Sequence, residues 1–329
     1  MKRLLAALLG AALAAAAAPT GAAPAAPYVK RPEVRAFVRD LVARRGFVEQ
    51  ELLQLFSRLR RVDAVLKAFE PTAKDRSWQD YRAIFVNERR LRGGLEFWSA
   101  NGKALARARR DYGVPEEYLV AIAGVETFYG RSTGRWRVVD SLATLAFDYP
   151  PRAEYFRAEL ESYLIYARES GLDVFSVRGS YAGAIGIPQF MPGSYLRYAV
   201  DFDGDGVSDL RASAADAIGS MANFLKAHGW RPGEPVALPA RVNGTAHRAM
   251  LEAGIEPNFT LADLRRFGVE TRTDLALETP VALIDLETPG AATEYRLGLR
   301  NFYVLTRYNR SAFYAAAVHD LARELRGRR

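Results

Sequence analysis

The sequence contains no cysteine and only three histidines among its 329 residues. Without cysteine there is no disulfide, no thiol nucleophile and no thiolate ligand for zinc. The histidines, His228, His247 and His319, lie far apart without an HExxH pattern, and no serine lies in a GxSxG pentapeptide. Only oxygen and nitrogen chemistry remains, and we expect each histidine to be structural or at the surface.

Long apolar runs are also missing, except at the N-terminus. Lys2 and Arg3 precede an alanine- and leucine-rich run over residues 4 to 18. This pattern predicts a cleaved signal peptide over residues 1–26, with the mature chain starting near Pro27. An uncleaved anchor is the alternative, but a run this short and rich in alanine is a poor membrane span.

Positive charge is in excess, with 46 lysines and arginines against 38 acidic residues and a formal net charge of +8. Loss of Lys2 and Arg3 with the signal peptide lowers the charge to +6, so the mature chain stays basic. A basic exported protein is expected to have an anionic partner. Because the predicted signal peptide directs the chain out of the cytoplasm, where cell-wall peptidoglycan is the abundant polyanion, we expect peptidoglycan and not nucleic acid as that partner.

A single carboxylate, Glu126, interrupts the apolar and aromatic segment 118–130. Proline and acidic residues before the segment, apolar residues at helical spacing and Gly130 predict a helix that Gly130 ends, with Ile122, Glu126 and Tyr129 on one face. Low polarity and the negative end of the helix dipole both raise the pKa of a carboxyl group. We therefore expect Glu126 to keep its proton near neutral pH, as a general acid must, although a glutamate reaching out from an exposed helix end fits this segment equally well.

A glycine-rich segment, SYAGAIGIPQFMPGSY, follows over residues 180–195. Its glycines allow close approach of the backbone to a ligand, while Ser180, Gln189 and Tyr195 offer hydrogen bonds and stacking surface. Sugars are bound in this way. A plain turn between helices accounts for the same composition.

A second motif, DFDGDGVSD over residues 201–209, has the spacing of a calcium loop. The residues in ligand positions are Asp201, Asp203, Asp205, Val207 through its carbonyl, and Asp209. Gly206 occupies the position of the sharp turn, but Ala212 stands where a closing glutamate is usual. We expect structural Ca²⁺ here, with an acidic turn as the alternative. A calcium sensor is disfavoured because sensors pair their sites.

Five segments carry a resemblance to a known family: WQDY at 78–81, GVETFYG at 124–130, PPRAEYF at 150–156, the glycine-rich segment, and DAIGSMANFLKAHGW at 216–230. Together they resemble lytic murein transglycosylase B, glycoside hydrolase family 103, from about residue 78 to the C-terminus. Some members of that family are lipoproteins attached through a cysteine. This chain has none, so we expect a soluble periplasmic protein.

The resemblance implies that Glu126 is the sole catalytic acid and base and that Asp216 supplies the closing cation ligand. It also implies a set of residues that contact the glycan: Tyr81, Arg152, Ser180, Gln189, Phe224, Asn301, Tyr303 and Tyr308. Two positions depart from the family pattern. Phe224 stands where related sequences can carry tyrosine, and Pro188 replaces a glycine and fixes that backbone angle.

The activity that the resemblance implies is cleavage of the β-1,4 bond between N-acetylmuramic acid and N-acetylglucosamine, leaving 1,6-anhydro ends without water. No cofactor is needed for this chemistry, because the substrate's acetamido group stabilises the cation. Asp140 and Asp148 are expected to be structural. A hydrolytic muramidase and a noncatalytic peptidoglycan-binding protein are the alternatives. We expect a monomer that acts in cell-wall remodelling or turnover, with cell-wall synthesis or remodelling proteins as candidate partners.

The fold class expected is mainly α (α+β), with a lysozyme-like catalytic core, an EF-hand-like loop, a flanking helical domain and a small β-containing domain. The predicted parts are the signal peptide 1–26, a helical region 27–80, the core 81–230 with its cation loop 201–216, a β-containing domain 231–297, and a segment 298–329 that returns to the cleft. Apolar spacing predicts a buried helical stripe of Val34, Phe37, Val38, Leu41 and Val42. Short apolar runs predict strands at 281–286 and 302–305, and Ser311 is expected to cap a last helix.

Overall fold

The structure is a computed structural model that describes residues 26–70 and 76–329. The predicted signal peptide lies outside the described residues, apart from Ala26. No helix in the described part of the chain has the length and apolarity needed to cross a membrane.

The first of two compact units ends at Leu59. Its elements are a 3-10 turn at Tyr28–Lys30 and the helices α1 (Pro32–Arg45) and α2 (Glu49–Arg58). The predicted stripe is confirmed, since Val34, Phe37, Val38 and Leu41 are buried and Val42 is half-buried.

The second unit starts at Arg60, which differs from the predicted boundary at residue 80. The residues that follow Leu59 are bound to a later helix through their backbone. The amide of Arg60 donates to Asp140 (3.1 Å) and that of Val62 to Thr144 Oγ1 (3.0 Å). These bonds place residues from Arg60 onwards with the second unit.

Helices dominate the second unit. They are α3 (Asp63–Ala68), α4 (Trp78–Phe85), α5 (Glu88–Ala100), α6 (Gly102–Tyr112), α7 (Glu116–Thr127), α8 (Val138–Asp148), α9 (Ala153–Glu169), α10 (Pro192–Tyr198), α11 (Ala214–Ala227), α12 (Arg248–Glu252), α13 (Arg300–Tyr308) and α14 (Ala312–Gly327), with 3-10 turns at Pro150–Arg152 and Leu261–Phe267. Helix α7 lies among α5, α6, α11 and α14. Ten of its twelve residues are buried, as expected for a helix that is apolar on all sides.

The strands form a two-stranded ribbon and a five-stranded antiparallel sheet. They are β1 (Trp136–Arg137), β2 (Arg178–Gly179), β3 (Ala237–Val242), β4 (Phe259–Thr260), β5 (Val269–Glu270), β6 (Pro280–Leu286) and β7 (Glu294–Gly298). The ribbon pairs β1 with β2, and the sheet has the order β4-β6-β7-β3-β5. Leu283 of β6 and Leu238 of β3 both pair with Leu297 of β7, which fixes the register around one apolar cluster.

The predicted strand at 281–286 is confirmed within β6, but the one at 302–305 is wrong. Phe302, Val304 and Leu305 are buried residues of α13, so their apolar run is the inner face of a helix. A run of four apolar residues does not distinguish strand from helix by its period.

Candidate active site

Glu126 lies in the last turn of α7 and is half-buried. The hydroxyl of Tyr314 donates a hydrogen bond of 2.6 Å to its Oε1. Tyr314 belongs to the first turn of α14, where Ser311 caps the helix by accepting from the amide of Tyr314. The predicted cap therefore also positions the partner of the acid.

Burial raises the pKa of Glu126 to about 7, and the hydrogen bond from Tyr314 offsets part of this rise. The carboxyl group is consequently protonated in a large fraction of molecules at neutral pH, in agreement with the prediction from sequence. Burial first, and the charge of Glu126 second, also raise the pKa of Tyr81 and of Tyr308. Both phenols keep their protons and can donate hydrogen bonds beside the acid.

The helix that carries Glu126 ends at Thr127, three residues before the predicted stop at Gly130. Phe128 and Tyr129 both have left-handed backbone conformations, with φ of 51° and 61°, which are costly for residues other than glycine. Tyr129 consequently does not share a helical face with Glu126, contrary to the prediction. Its hydroxyl donates to the carbonyl of Arg90 (2.8 Å).

Two glycines make room for the ring of Tyr129. A Cβ atom at Gly94 of α5 or at Gly124 of α7 would lie 2.6 Å from the Tyr129 hydroxyl. The guanidinium of Arg90 also donates to the carbonyl of Gly124. The turn after Glu126 is thereby held between α5 and α7.

The glycine-rich segment lies against this turn. Thr127 Oγ1 donates to the carbonyl of Ile187 (2.9 Å), and the hydroxyl of Tyr308 donates to that of Pro188 (2.6 Å). Gln189 has a left-handed φ of 51°, and its Nε2 donates to the carbonyls of Thr133 and Gly186. The strained backbone and side-chain bonds fix Gln189 near the end of α7.

Aromatic rings continue the site on the side of Tyr314. Tyr308 stacks on Tyr314 with ring centroids 6.3 Å apart and lies 4.9 Å from Phe224 and 5.9 Å from Phe190. Phe224 is buried, so its ring packs beneath Tyr308. Tyr81 packs against Phe313, the neighbour of Tyr314 in α14.

Asn301 is a correction to the predicted set of glycan contacts. It is fully buried, its side-chain oxygen accepts from the amide of Arg231 (2.8 Å), and its Nδ2 donates to the carbonyls of Arg231 and Glu234. These bonds use its amide group and hold the loop after α11. Asn301 therefore serves the fold and is inaccessible to a ligand.

Three other predicted residues have no contact with Glu126 in the described part of the chain. Arg152 is exposed and lies over the rings of Tyr155 and Phe156. Tyr303 is half-buried beneath Arg307. Ser180 Oγ accepts from the amide of Ala184 inside its own loop (3.0 Å).

Tyr314 was not predicted from the sequence, although it makes the direct hydrogen bond to the acid. It lies 188 residues from Glu126 along the chain. Its only sequence signal is its place in the first turn of a helix capped by Ser311. That signal predicts the helix but not what its tyrosine faces.

The predicted cation loop brings three of its carboxylates together. Oxygen atoms of Asp201, Asp203 and Asp205 lie within 4.8 Å of one another, and all three residues are exposed. The three carboxylates form an oxygen-only donor set, which suits a hard cation such as Ca²⁺. They fit the predicted ion, while the carbonyl of Val207 accepts from the amide of Asp209 (3.1 Å) and stays a predicted ligand.

Asp209 and Asp216 are directed elsewhere. Asp216 is fully buried; its Oδ1 accepts from the amides of Phe202 and Asp203, and its Oδ2 accepts from that of Asp209. Asp209 accepts from the amide of Arg211 and forms an ion pair with that side chain (3.2 Å). Both carboxylates hold the loop backbone, and since an oxygen that accepts from an amide retains a lone pair for a cation, their ligand roles stay predictions.

Comparison with known proteins gives the class. A family model described as the transglycosylase SLT domain matches residues 30–323. The chain is 40% identical over 304 residues to the membrane-bound lytic murein transglycosylase B of Escherichia coli strain K12, covering 89% of this chain and 82% of that protein. The chain belongs to the lytic murein transglycosylase family.

Solved structures are similar over most of their length. The catenated lytic transglycosylase SltB1 from Pseudomonas aeruginosa gives a TM-score of 0.87 at 45% identity, covering 92% of this chain and 99% of that one. An Escherichia coli lytic transglycosylase in complex with calcium gives a TM-score of 0.82 at 39% identity, covering 91% of this chain and 94% of that one. SltB3 from Pseudomonas aeruginosa, in complex with NAG-anhNAM-pentapeptide, gives a TM-score of 0.79 at 30% identity, covering 90% of this chain and 79% of that one. The predicted fold class, mainly helical with a lysozyme-like core, is confirmed.

Proposed function

We propose that the protein cleaves the glycosidic bond between N-acetylmuramic acid and N-acetylglucosamine in peptidoglycan and leaves 1,6-anhydro ends, with Glu126 as the catalytic residue. The observation that carries this proposal is the carboxyl of Glu126 at the end of α7, whose pKa burial raises to about 7, which is bonded to Tyr314 and is close enough to Tyr81 and Tyr308 for its charge to raise the pKa of both. Protonated Glu126 donates to the glycosidic oxygen as the bond breaks through an oxocarbenium-like state. As a carboxylate it then accepts the proton of the sugar's 6-hydroxyl, whose oxygen closes the anhydro ring.

One residue can serve both steps because its pKa is close to neutral. A carboxyl group with a pKa near the working pH is a competent acid before transfer and a competent base after it. The hydrogen bond from Tyr314 stabilises the carboxylate formed between the two steps. Tyr81, Gln189 and Tyr308 are proposed to contact the sugars, with Phe224 supporting the ring of Tyr308.

No second carboxylate competes for the catalytic role among the described residues. Asp140 is buried and paired with Arg137 (2.5 Å), and Asp148 is in an ion pair as well. A further buried acid, Glu159, accepts from the amide of Gly193 (2.7 Å), and burial raises its pKa. None of them contacts Glu126, so a double-carboxylate mechanism has no support.

The natural substrate is proposed to be a peptide-bearing glycan strand. SltB3, a relative at 30% identity, was solved with NAG-NAM-pentapeptide and NAG-anhNAM-pentapeptide. A basic chain with an apparent signal peptide meets such strands in the periplasm, where we propose that it acts as a soluble monomer. The anionic character of this wall suits the net charge of the mature chain, +8 less the two charges of Lys2 and Arg3, or +6.

The mass of the released glycan ends tests the proposed reaction. Anhydro ends are lighter by one water than the ends left by a hydrolytic muramidase. We expect a cleared band in a zymogram on cell-wall material and anhydro ends alone in the digest. Hydrated ends would identify the hydrolase instead, and an uncleared zymogram with folded protein would identify a noncatalytic binding protein.

Calcium is proposed to stabilise the loop at Asp201, Asp203 and Asp205. Three carboxylates within 4.8 Å repel one another, and a divalent cation removes that repulsion. We expect added Ca²⁺ to raise the melting temperature by several degrees over EDTA. Asp203→Asn with Asp205→Asn should abolish most of this gain, while Asp274→Asn, an exposed control, should keep it. Equal melting temperatures in calcium and EDTA would refute the site.

A further inference from the structure

A basic pocket of about 480 Å³ lies on the ribbon formed by β1 and β2. Four arginines line it, Arg60, Arg135, Arg137 and Arg178, against a single carboxylate, that of Asp140. Trp136, also in the lining, is half-buried. The lining therefore combines an excess of positive charge with one large aromatic surface.

Asp140 does not neutralise the pocket. Its Oδ1 accepts from the backbone amide of Arg60, and its Oδ2 accepts from the guanidinium of Arg137 (2.6 Å). Arg60, Arg135 and Arg178 have no ion pair with a carboxylate within residues 26–70 and 76–329, and all three are exposed. Three guanidinium groups thus face one concave surface without a counter-charge, which favours an anionic ligand.

The pocket is continuous along the chain with the proposed sugar-binding segment. Arg178 of β2 lies two residues before Ser180, a span of at most roughly 7 Å. On the other strand, the carbonyl of Thr133, two residues before Arg135, accepts from Gln189 Nε2 (3.0 Å). A ligand at Gln189 and one in this pocket would bind to the same short ribbon.

We propose that this pocket binds carboxylate groups of the peptide stem carried by the glycan strand, an inference that rests on the proposed function. Guanidinium groups bind carboxylates through paired hydrogen bonds. The guanidinium of Arg135 lies over the ring of Trp136, 5.0 Å from its centroid, which positions that cation in the pocket without neutralising it. A stem of five residues extends over roughly 17 Å, which is long enough to reach beyond the sugar ring that carries it. Removing the peptide frees the lactyl carboxylate of each N-acetylmuramic acid, so a bare strand is also anionic, but its charge lies against the sugar ring and cannot extend into a pocket that a stem reaches.

Binding to two kinds of strand tests this inference. The inactive Glu126→Gln protein is titrated with peptide-bearing strands and with strands stripped of their peptides by an amidase. We expect the peptide-bearing strands to bind about tenfold more tightly, from two or three partly exposed ion pairs. Arg135→Gln with Arg178→Gln should reduce that ratio to near one, whereas Arg272→Gln, an exposed arginine outside the pocket, should leave it unchanged.

Lysine variants distinguish a loss of binding from a loss of folding. Arg135→Lys with Arg178→Lys retains the charge but loses the paired hydrogen bonds, so an intermediate ratio is expected. Equal binding of both strands by the parent protein overturns the inference. So does an equal loss in the pocket variant and in Arg272→Gln. If the parent binds neither kind of strand, the proposed function fails, and this result is distinct from a lost preference.

Discussion

Replacing Glu126 with glutamine is expected to lower kcat by roughly 10³-fold or more, because the variant has neither a proton to donate nor a carboxylate to accept one. Glutamine has nearly the same shape, and its side-chain oxygen can still accept from the hydroxyl of Tyr314. Affinity for glycan should therefore persist while turnover is lost. The measurement is the release of soluble fragments from cell walls, with strand binding as the control.

The same substitution has a second, pH-dependent readout. Since the folded-state pKa of Glu126, about 7, is above its ordinary value of 4.5, the folded wild type binds an extra proton between these pH values. The contribution of Glu126 to the free energy of unfolding is consequently most favourable below about pH 4.5 and is lost as the pH rises towards 7. The glutamine variant has no such group to ionise. The difference between its melting temperature and that of the wild type should therefore shift in favour of the variant as the pH rises from about 4.5 to 7. Residual cleavage within tenfold of the wild type would remove Glu126 from the catalytic role.

Replacing Asp320 with asparagine is expected to lower the free energy of unfolding by about 3 kcal/mol, the lower range for breaking a buried ion pair. Asp320 lies on α14 and is 7% exposed. It accepts from Arg296 of β7 at 2.7 and 3.1 Å and from Arg82 of α4 at 2.7 Å. The neutral side chain would leave Arg82 without this counter-charge and Arg296 with Glu294 (2.6 Å) as its remaining carboxylate partner.

Glu324→Gln is the matched control, because Glu324 is exposed one turn further along α14 and lines the same cavity of about 700 Å³. Chemical denaturation of both variants should show a large loss for Asp320→Asn and a loss within about 0.5 kcal/mol for the control. Since α14 also carries Tyr314, a weakened anchor should reduce cleavage at temperatures where the fold is still intact. Equal stability of the two variants would show that the Arg82 and Arg296 pairs contribute nothing net.

The sequence predicted those helices, caps and strands that depend on interactions between residues close together along the chain. The apolar helix carrying Glu126, the Ser311 cap and the strand at 281–286 depend on neighbouring residues and were confirmed. The early end of α7 was not predictable in this way. Phe128 and Tyr129 accept left-handed backbone because Gly94, on a different helix, leaves room for the tyrosine ring.

The site was predictable only where the acid and its nearest loop are concerned. The raised pKa of Glu126 follows from its apolar neighbours, and the structure supports it. The roles of Asn301 and Tyr314 depend on contacts across the fold. Asn301 bonds to a loop 70 residues away, and Tyr314 to a residue 188 positions away. Residue type and spacing do not determine such contacts.

The hydroxyl beside Glu126 comes from α14, the last helix of the chain. A polypeptide translated or trimmed short of residue 312 would contain the acid but not Tyr314, which bonds to the acid and on whose ring Tyr308 stacks. The hydrogen bond to Glu126 can therefore form only after the last helix has been synthesised. A partly made or proteolysed copy would lack the hydrogen bond that stabilises the carboxylate of Glu126.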